Sequence, residues 1–126
     1  MKPITYLAIA ATVINSTTTT ADFDLGPYIN VGHQQVHGIW GPGIYGADTD
    51  ELYACHFEES ADTVSANFAD ITGGAFVSQY QDMSIAAQVI KFVPKKRYIR
   101  AVTTLSGTSP TSVNYIGLIL GPRFDT

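Results

Sequence analysis

Cys55 and His56 are the residues of this 126-residue chain whose types best suit nucleophilic catalysis, because a thiolate needs a base within hydrogen-bond reach. They lie in residues 51–58, where apolar and polar residues alternate as in a β-strand. Neighbours on a strand point to opposite faces of the sheet, so His56 cannot serve as the base for Cys55. We therefore expect Cys55 to be a small buried residue of the core, on the same face as Tyr53 and Phe57.

Two other groups of residues have spacings found at metal sites. His33 and His37 are four positions apart, which suits metal binding on a helix, but their glycine-rich segment predicts strand or loop. Asp48, Asp50 and Glu51 have the acidic spacing of the start of a calcium loop, without the glycine and the downstream glutamate of an EF-hand. We expect loop histidines and an exposed acidic loop rather than metal ligands.

The other sequence patterns that could indicate catalysis or ligand binding are also weak. Glu58 and Glu59 are adjacent on a strand, so they face opposite ways and form no acid–base pair. The sequence has no phosphate-binding glycine loop followed by lysine, and its net charge of −4 opposes nucleic-acid binding. The sequence therefore predicts that the protein is not an enzyme, with no catalytic, cofactor-binding or metal-ligating residues and no nucleic-acid partner.

Short strands separated by Gly/Pro turns must position all of these residues. The clearest are residues 97–105 and Ser112–Leu120, which read as a hairpin closed by residues 106–110. Further strands are predicted at residues 21–25, 28–31, 34–40, 51–58, 75–80 and 88–93. With no long amphipathic helix, this pattern predicts an all-β fold, an antiparallel, jelly-roll-like β-sandwich in residues 21–126.

Two segments outside the regular strands are unusually apolar. Residues 1–14 read as an extended N-terminal arm, or a strand that docks on this subunit or a neighbour, rather than as a signal peptide or a membrane span. Together with a threonine-rich connector they form an arm-and-connector region over residues 1–20. Residues 39–45, the centre of a segment (residues 38–46) with four glycines and a proline among aromatics, predict an apolar loop.

The composition is typical of a globular subunit whose apolar surface is partly covered by other proteins. The chain is 45% hydrophobic and only 14% charged, and apolar surface that one chain cannot bury tends to be covered in an assembly. The single cysteine excludes an internal disulfide and favours synthesis in a reducing cytoplasm. Five of the seven basic residues lie in residues 91–100, which predicts one basic edge or, alternatively, a solvated turn.

Several short motifs occur in an order that resembles a known group of proteins. They are DFDLGPY at residues 22–28, FEESAD at 57–62, FADI at 68–71, KRYIRAV at 96–102, SGT at 106–108 and ILGP at 119–122. The chain thereby resembles small structural proteins of tailed bacteriophages that are encoded beside the major capsid protein. It departs from them at Pro94 and Lys95, where glycine is usual before the KRY motif, and across residues 29–47.

The resemblance implies a virion structural protein on the phage capsid surface, synthesised in the bacterial host cytoplasm. Such a protein would be a decoration or cement protein, or the base of a head spike, and it would bind the major capsid protein. It would also bind other copies of itself to form a homo-oligomer, for which a trimer is one candidate. No membrane partner is expected. The residues expected at these contacts are Ile4, Tyr6, Leu7, Ile9, Ile39, Trp40, Tyr45, Lys95, Lys96 and Arg97.

Two alternatives stay open at this point. One is a head-to-tail connector or a tail or spike subunit, which would be present in few copies. The other is a carbohydrate-binding β-sandwich on a virion fibre, in which Trp40, Tyr45 and Tyr28 would stack on sugars.

Overall fold

Two antiparallel β-sheets enclose the apolar core. A computed structural model describes residues 4–44, 50–80 and 87–121, with the side chains of residues 42–44 and 113 excluded. The strands in these residues are β1 (Thr5–Ile14), β2 (Thr18–Thr19), β3 (Phe23–Asp24), β4 (Val36–Ile44), β5 (Leu52–Ser60), β6 (Ala69–Ala75), β7 (Gln79–Tyr80), β8 (Gln88–Phe92), β9 (Tyr98–Ser106) and β10 (Ser112–Leu120). The all-β, antiparallel sandwich predicted from the sequence is confirmed.

The strand pairing is nested along the chain. One sheet has the order β1-β10-β4-β8, and the other has β2-β9-β5-β6, with β3 also on β9 and β7 also on β5. Early strands therefore pair with late ones: β1 with β10, β2 and β3 with β9, and β4 with β8, while β5 pairs with its followers β6 and β7. Both sheets therefore place strands from the two ends of the chain beside each other.

Alternating residues of both sheets fill the core. Tyr53, Cys55 and Phe57 of β5 are buried, as the alternation predicted, and face the buried side chains of the four-stranded sheet. The Phe57 ring packs 5.1 Å from that of Phe92 on β8, centroid to centroid, which joins the two sheets. The core thus depends on apolar side chains contributed by strands far apart in sequence.

A chain of buried polar groups also crosses the core. Trp40 Nε1 donates to Asn114 Oδ1 at 3.1 Å, and Asn114 Nδ2 donates to Thr103 Oγ1 at 3.0 Å. Thr103 Oγ1 in turn donates to Cys55 Sγ at 3.7 Å. Because buried polar atoms are costly when unpaired, this chain ties β4 and β10 of one sheet to β9 and β5 of the other.

The C-terminal strands are where predicted, but the predicted hairpin is wrong. β9 pairs with β5 in one sheet and β10 pairs with β1 and β4 in the other. Both strands carry a buried inner row, and the two rows contribute to the same core from opposite sheets. The connection from β9 to β10 passes from one sheet to the other through Gly107, whose φ is +105°. In the same connection, Thr108 Oγ1 donates a hydrogen bond to Asp50 Oδ2 at 2.7 Å.

Other local predictions also need correction. Residues 28–31 form a turn, in which Tyr28 N–H donates to the Leu25 carbonyl at 2.9 Å, and Gly32 follows at φ +90°. The strand predicted at residues 21–25 is reduced to β3, and the strand predicted at residues 75–80 is interrupted between Ala75 and Gln79.

The predicted apolar loop at residues 39–45 is instead mostly strand. β4 runs to Ile44 between β10 and β8, and only Tyr45 lies outside the described residues. Gly38 of this strand is needed for close packing, since an added Cβ would lie 2.5 Å from the Phe57 ring, whereas a Cβ on Gly41 would have its nearest contact at 3.8 Å. Glycine here marks a tightly packed central strand rather than a loop.

The N-terminal segment docks on its own subunit. β1 pairs with β10 over nearly its whole length, with a register shift between Ala8 and Ala10. The sequence predicted either an extended arm or a docking strand for this segment. The described residues form a docking strand, and an extended arm is not confirmed. Helical structure in the described residues consists of the 3-10 turn Ser65–Asn67, and no helix there has the length and apolar character needed to cross a membrane.

Candidate functional site

Most outward residues of the four-stranded sheet are apolar. Its residues, here called the apolar face, are Tyr6 and Ala8 of β1, Ile39 of β4, Val89 of β8, and Tyr115, Gly117 and Ile119 of β10. Ala8, Gly117, Ile39 and Val89 are direct cross-strand partners and form one apolar row across all four strands. The neighbouring row places Tyr6 and Ile119 beside the polar residues His37 and Lys91.

Alternation along β10 produces this face. Ile116, Leu118 and Leu120 are buried in the core, so the intervening residues must point outward. Gly117 leaves room for two tyrosines above it, because an added Cβ would lie 3.1 Å from Tyr6 Oη and 3.4 Å from Tyr115 Cε1. The two rings therefore cover the backbone of the sheet from outside.

Much of the apolar face remains open to solvent. Tyr6 is 54% exposed and Val89 is 58% exposed, at the two edges of the sheet, while Ile39 and Ile119 between them are half-buried. Ile4, just before β1, is 65% exposed and extends the same side of the strand. Contiguous exposed apolar surface of this kind marks an interaction site in soluble proteins.

The structure brings together three of the residues predicted at partner contacts. Ile4, Tyr6 and Ile39 share the apolar side of the sheet, although 33 positions separate Tyr6 from Ile39 in the sequence. Leu7 pairs with Leu118 on the inward side and is half-buried, and Ile9 packs against the core. Leu7 and Ile9 therefore support the sheet from within and are not part of the open surface.

Trp40 was predicted as a partner contact, and the structure corrects this. Its side chain is fully buried, and its ring lies 5.7 Å from that of Phe76. It is next to Ile39 on a strand and so points to the opposite side of the sheet. The same burial removes Trp40 as a sugar-stacking surface, and Tyr28, the second stacking candidate, is half-buried against Phe23 at 5.4 Å. Tyr45 lies outside the described residues.

The predicted basic edge lies in the loop between β8 and β9. Lys95 and Lys96 are exposed, and their backbone N–H groups donate to Glu59 Oε2 at 2.8 and 3.2 Å. Arg97 is held by Asp24 in a two-point pair, Nε to Oδ1 at 2.8 Å and Nη2 to Oδ2 at 2.7 Å. Hydrogen bonding from Arg97 lowers the pKa of the Asp24 carboxyl. Two lysines thus project from a loop that the backbone bonds hold in place.

An open depression of about 550 Å³ lies beside this loop. Arg97 and His33 supply its basic groups, and the turn at residues 26–31 supplies most of the rest of its wall. Arg97 is already paired with Asp24, so the depression offers little unpaired charge for a small ligand.

A cluster that was not predicted from the sequence lies on the outer face of the six-stranded sheet and is here called the charged cluster: His56, Glu58, Asp70 and Arg100. Arg100 Nε donates to Glu58 Oε1 at 2.8 Å, and His56 Nε2 lies 3.2 Å from both Glu58 Oε2 and Asp70 Oδ1. Burial alone would raise the pKa of Glu58, but hydrogen bonds from Arg100 and His56 hold it below its ordinary value. The alternation in β5 indicates from sequence alone that His56 and Glu58 share a face of the sheet. Asp70 and Arg100 lie beside them because of the pairing register of β6 and β9 with β5.

Neither a scan of known protein families nor a search of curated proteins found a match for this chain. Its function must therefore be argued from its two contrasting outer faces, one apolar and open, the other charged and internally paired.

Proposed function

We propose that the protein is a structural subunit of a bacteriophage virion that binds the lattice of the major capsid protein and stabilises the head, as a decoration or cement protein. The observation that carries the proposal is the apolar face, whose row of apolar residues crosses all four strands of the sheet and is open to solvent at its edges. Ile39 lies near its centre, and the exposed side chains of Tyr6 and Val89 lie at its edges. Such a face gains free energy when another protein covers it.

A jelly-roll topology is part of the proposal. If β2 with β3, and β6 with β7, each count as one strand, the described residues hold eight strand positions. Their nested pairing, first with last and second with second-last, supports a ribbon folded into two four-stranded sheets. Jelly rolls of this kind occur in virus capsid proteins and in lectins.

The size of the apolar face favours repeated, multi-point attachment. The whole outer side of four strands about 4.8 Å apart and about 20 Å long measures about 400 Å², and the apolar face is part of it. That is at most half of the roughly 800 Å² that each partner buries in a stable interface. A second contact is therefore needed, and the exposed Lys95 and Lys96 or a second copy of this chain could provide it.

Stabilisation would follow from mass action. A subunit that binds only the assembled lattice lowers the free energy of the closed shell, and many copies on symmetric positions multiply a modest affinity per contact. The proposal includes no catalytic step. Burial raises the pKa of Cys55, the only thiol in the sequence, to about 12, which supports a structural role for it.

Copy number in purified particles tests the proposal most directly. In virions made from the genome that encodes this chain, we expect hundreds of copies by quantitative mass spectrometry. A dozen copies or fewer would support the connector or tail alternative instead, and absence from particles would refute both.

A binding assay then tests the apolar face. Particles that lack the protein are mixed with purified wild-type protein, with Tyr6→Asp or with Ile39→Asp, and bound protein is measured by co-sedimentation. We expect at least a tenfold loss of binding for both variants, because a carboxylate buried against the capsid would be unpaired. Thr104→Asp, at an exposed position on the other sheet, is the matched control and should bind like the wild type. Equal binding by all four proteins would contradict the assigned face.

A further inference from the structure

The charged cluster brings one imidazole and two carboxylates from three sequence positions to one point on the six-stranded sheet. His56 and Glu58 are on β5, and Asp70 is on β6 directly opposite Glu58. Their nearest nitrogen and oxygen atoms all lie within 4.8 Å of one another. We propose that His56, Glu58 and Asp70 form a binding site for a divalent transition-metal ion, with zinc as the best match. This site is independent of the proposed role in the virion.

The distances fit a single ion. A tetrahedral zinc with nitrogen and oxygen ligands about 2.0–2.1 Å away has ligands separated by about 3.4 Å along each edge. His56 Nε2 lies 3.2 Å from Glu58 Oε2 and 3.2 Å from Asp70 Oδ1, so two of the three edges already have this length. The Asp70 side chain is 80% exposed and can rotate to complete the third edge.

The charges leave a place for a cation. Glu58 lies between Arg100 on one neighbouring strand and Asp70 on the other, so one arginine faces two carboxylates. Like charges directly opposite on paired strands are destabilising. Among the described residues, the Asp70 carboxylate has His56 as its only polar side-chain partner. A divalent ion would compensate the second carboxylate, which Arg100 does not reach.

Neighbouring groups hold Glu58 in an orientation suited to binding. Arg100 bonds to Oε1 of Glu58, which leaves Oε2 directed at His56. Arg100 is itself fixed, because Nη1 donates to Ser65 Oγ at 2.9 Å and its guanidinium stacks 4.2 Å from the Phe68 ring centroid. Metal-binding carboxylates are commonly oriented by a second layer of hydrogen bonds in this way.

A metal also explains the position of His56 better than a hydrogen bond does. Nε2 carries at most one proton, and one N–H cannot point along two separate directions at full strength. Neutral imidazole nitrogen with two carboxylate oxygens is a ligand set typical of zinc, whereas calcium prefers oxygen ligands alone. Three protein ligands would leave the fourth zinc position to water.

The test uses the untagged full chain in a buffer without chelators or phosphate. Zinc chloride is titrated into the protein by calorimetry, and the His56 ring resonances are followed by NMR. We expect saturable binding of one ion, with a shift of the His56 ring signals. Asp70→Asn, which changes one exposed oxygen to an amide, should weaken zinc affinity at least tenfold, and His56→Ala should abolish saturable binding.

His33→Ala is the matched control, because His33 is an exposed histidine away from the cluster. It should bind zinc like the wild type. Since Asp70→Asn alters an exposed side chain, it keeps the test valid even if His56→Ala fails to fold. The proposal is overturned if the wild type binds no zinc at micromolar concentrations, or if Asp70→Asn and His56→Ala bind it as tightly as His33→Ala does.

Discussion

The two sheets of this sandwich share one core but present opposite chemistry to the outside. On the six-stranded sheet, Arg100, Glu58 and His56 satisfy one another, and the Arg100 and Glu58 side chains are only 15% and 16% exposed despite their charge. On the four-stranded sheet, one outward row is apolar from edge to edge and ends at Val89, and the next row begins with Tyr6; both of these side chains are more than half exposed. A polar face that is internally paired can remain in water, whereas an open apolar face is suited to contact with another protein.

The contrast also separates stability from association. Residues that point inward from β4 and β10 hold the fold together, while the residues between them point to the apolar face and contribute little to the core. Neighbouring residues on one strand therefore have separable roles.

Trp40 and Ile39 are adjacent on β4 and point to opposite sides. Trp40→Ala removes a fully buried ring and leaves Asn114 Oδ1 without its donor, so we expect a loss of about 4 kcal/mol in unfolding free energy. Ile39→Ala removes a half-buried outward side chain and should cost about 1 kcal/mol. Urea denaturation measures both.

Trp40→Phe keeps a ring but loses the hydrogen bond, and it serves if the alanine variant does not fold. Its expected cost of about 1–2 kcal/mol should still exceed that of Ile39→Ala. If Ile39→Ala destabilised the protein as much as Trp40→Phe, the division between inward support and outward contact would be wrong.

On the charged side, Arg100→Met should destabilise the protein by about 1–2 kcal/mol, because it leaves the half-buried Glu58 without its main partner. Arg97→Met breaks a similar arginine–carboxylate pair whose arginine is 57% exposed, and it should change the unfolding midpoint little. Equal effects of the two substitutions would show that burial does not distinguish the pairs.

The same pair predicts a pH dependence. The pKa of Glu58 is lower in the folded protein than its ordinary value of 4.5, so its stabilising contribution is present above pH 4.5 and is lost as the pH falls through the folded pKa. In Arg100→Met much of this lowering disappears, and the acid-side loss of stability should be shallower than in the wild type. Thermal unfolding at a series of pH values between neutral and acid measures the slope.

Local pattern was enough to predict the strands with the clearest alternation. β10 has the predicted bounds, β9 and β8 agree within one residue, and the buried row of β5 was identified correctly. These segments alternate cleanly or are bounded by glycine and proline, so their local signal and their tertiary role agree. The glycines of β4 misled the prediction, because Gly38 is required for close packing against Phe57 within a strand, which only the fold reveals.

Properties that depend on register between distant strands could not be predicted. Nothing local indicates that β9 and β10 belong to different sheets, or that Asp70 lies opposite Glu58. Tyr6 and Ile39 were named as contact residues from their apolar segments, but their shared face follows from the pairing of β1, β10 and β4. Trp40 was misassigned because residue type suggested a contact, while orientation on the strand decides whether it is exposed.

The smallest expected effect concerns the basic loop. Lys95→Gln with Lys96→Gln should leave stability unchanged, since the bonds to Glu59 come from backbone N–H groups that the substitutions keep. If these lysines meet an acidic surface on the capsid, the double variant should associate a few-fold more slowly at low salt, with a weaker dependence on ionic strength. Stopped-flow or surface-based kinetics on particles measure this rate, and the same measurement at high salt, where the two proteins should associate equally fast, is the control. If the double variant kept the salt dependence of the wild type, the basic loop would have no special role, and the apolar face alone would orient the subunit.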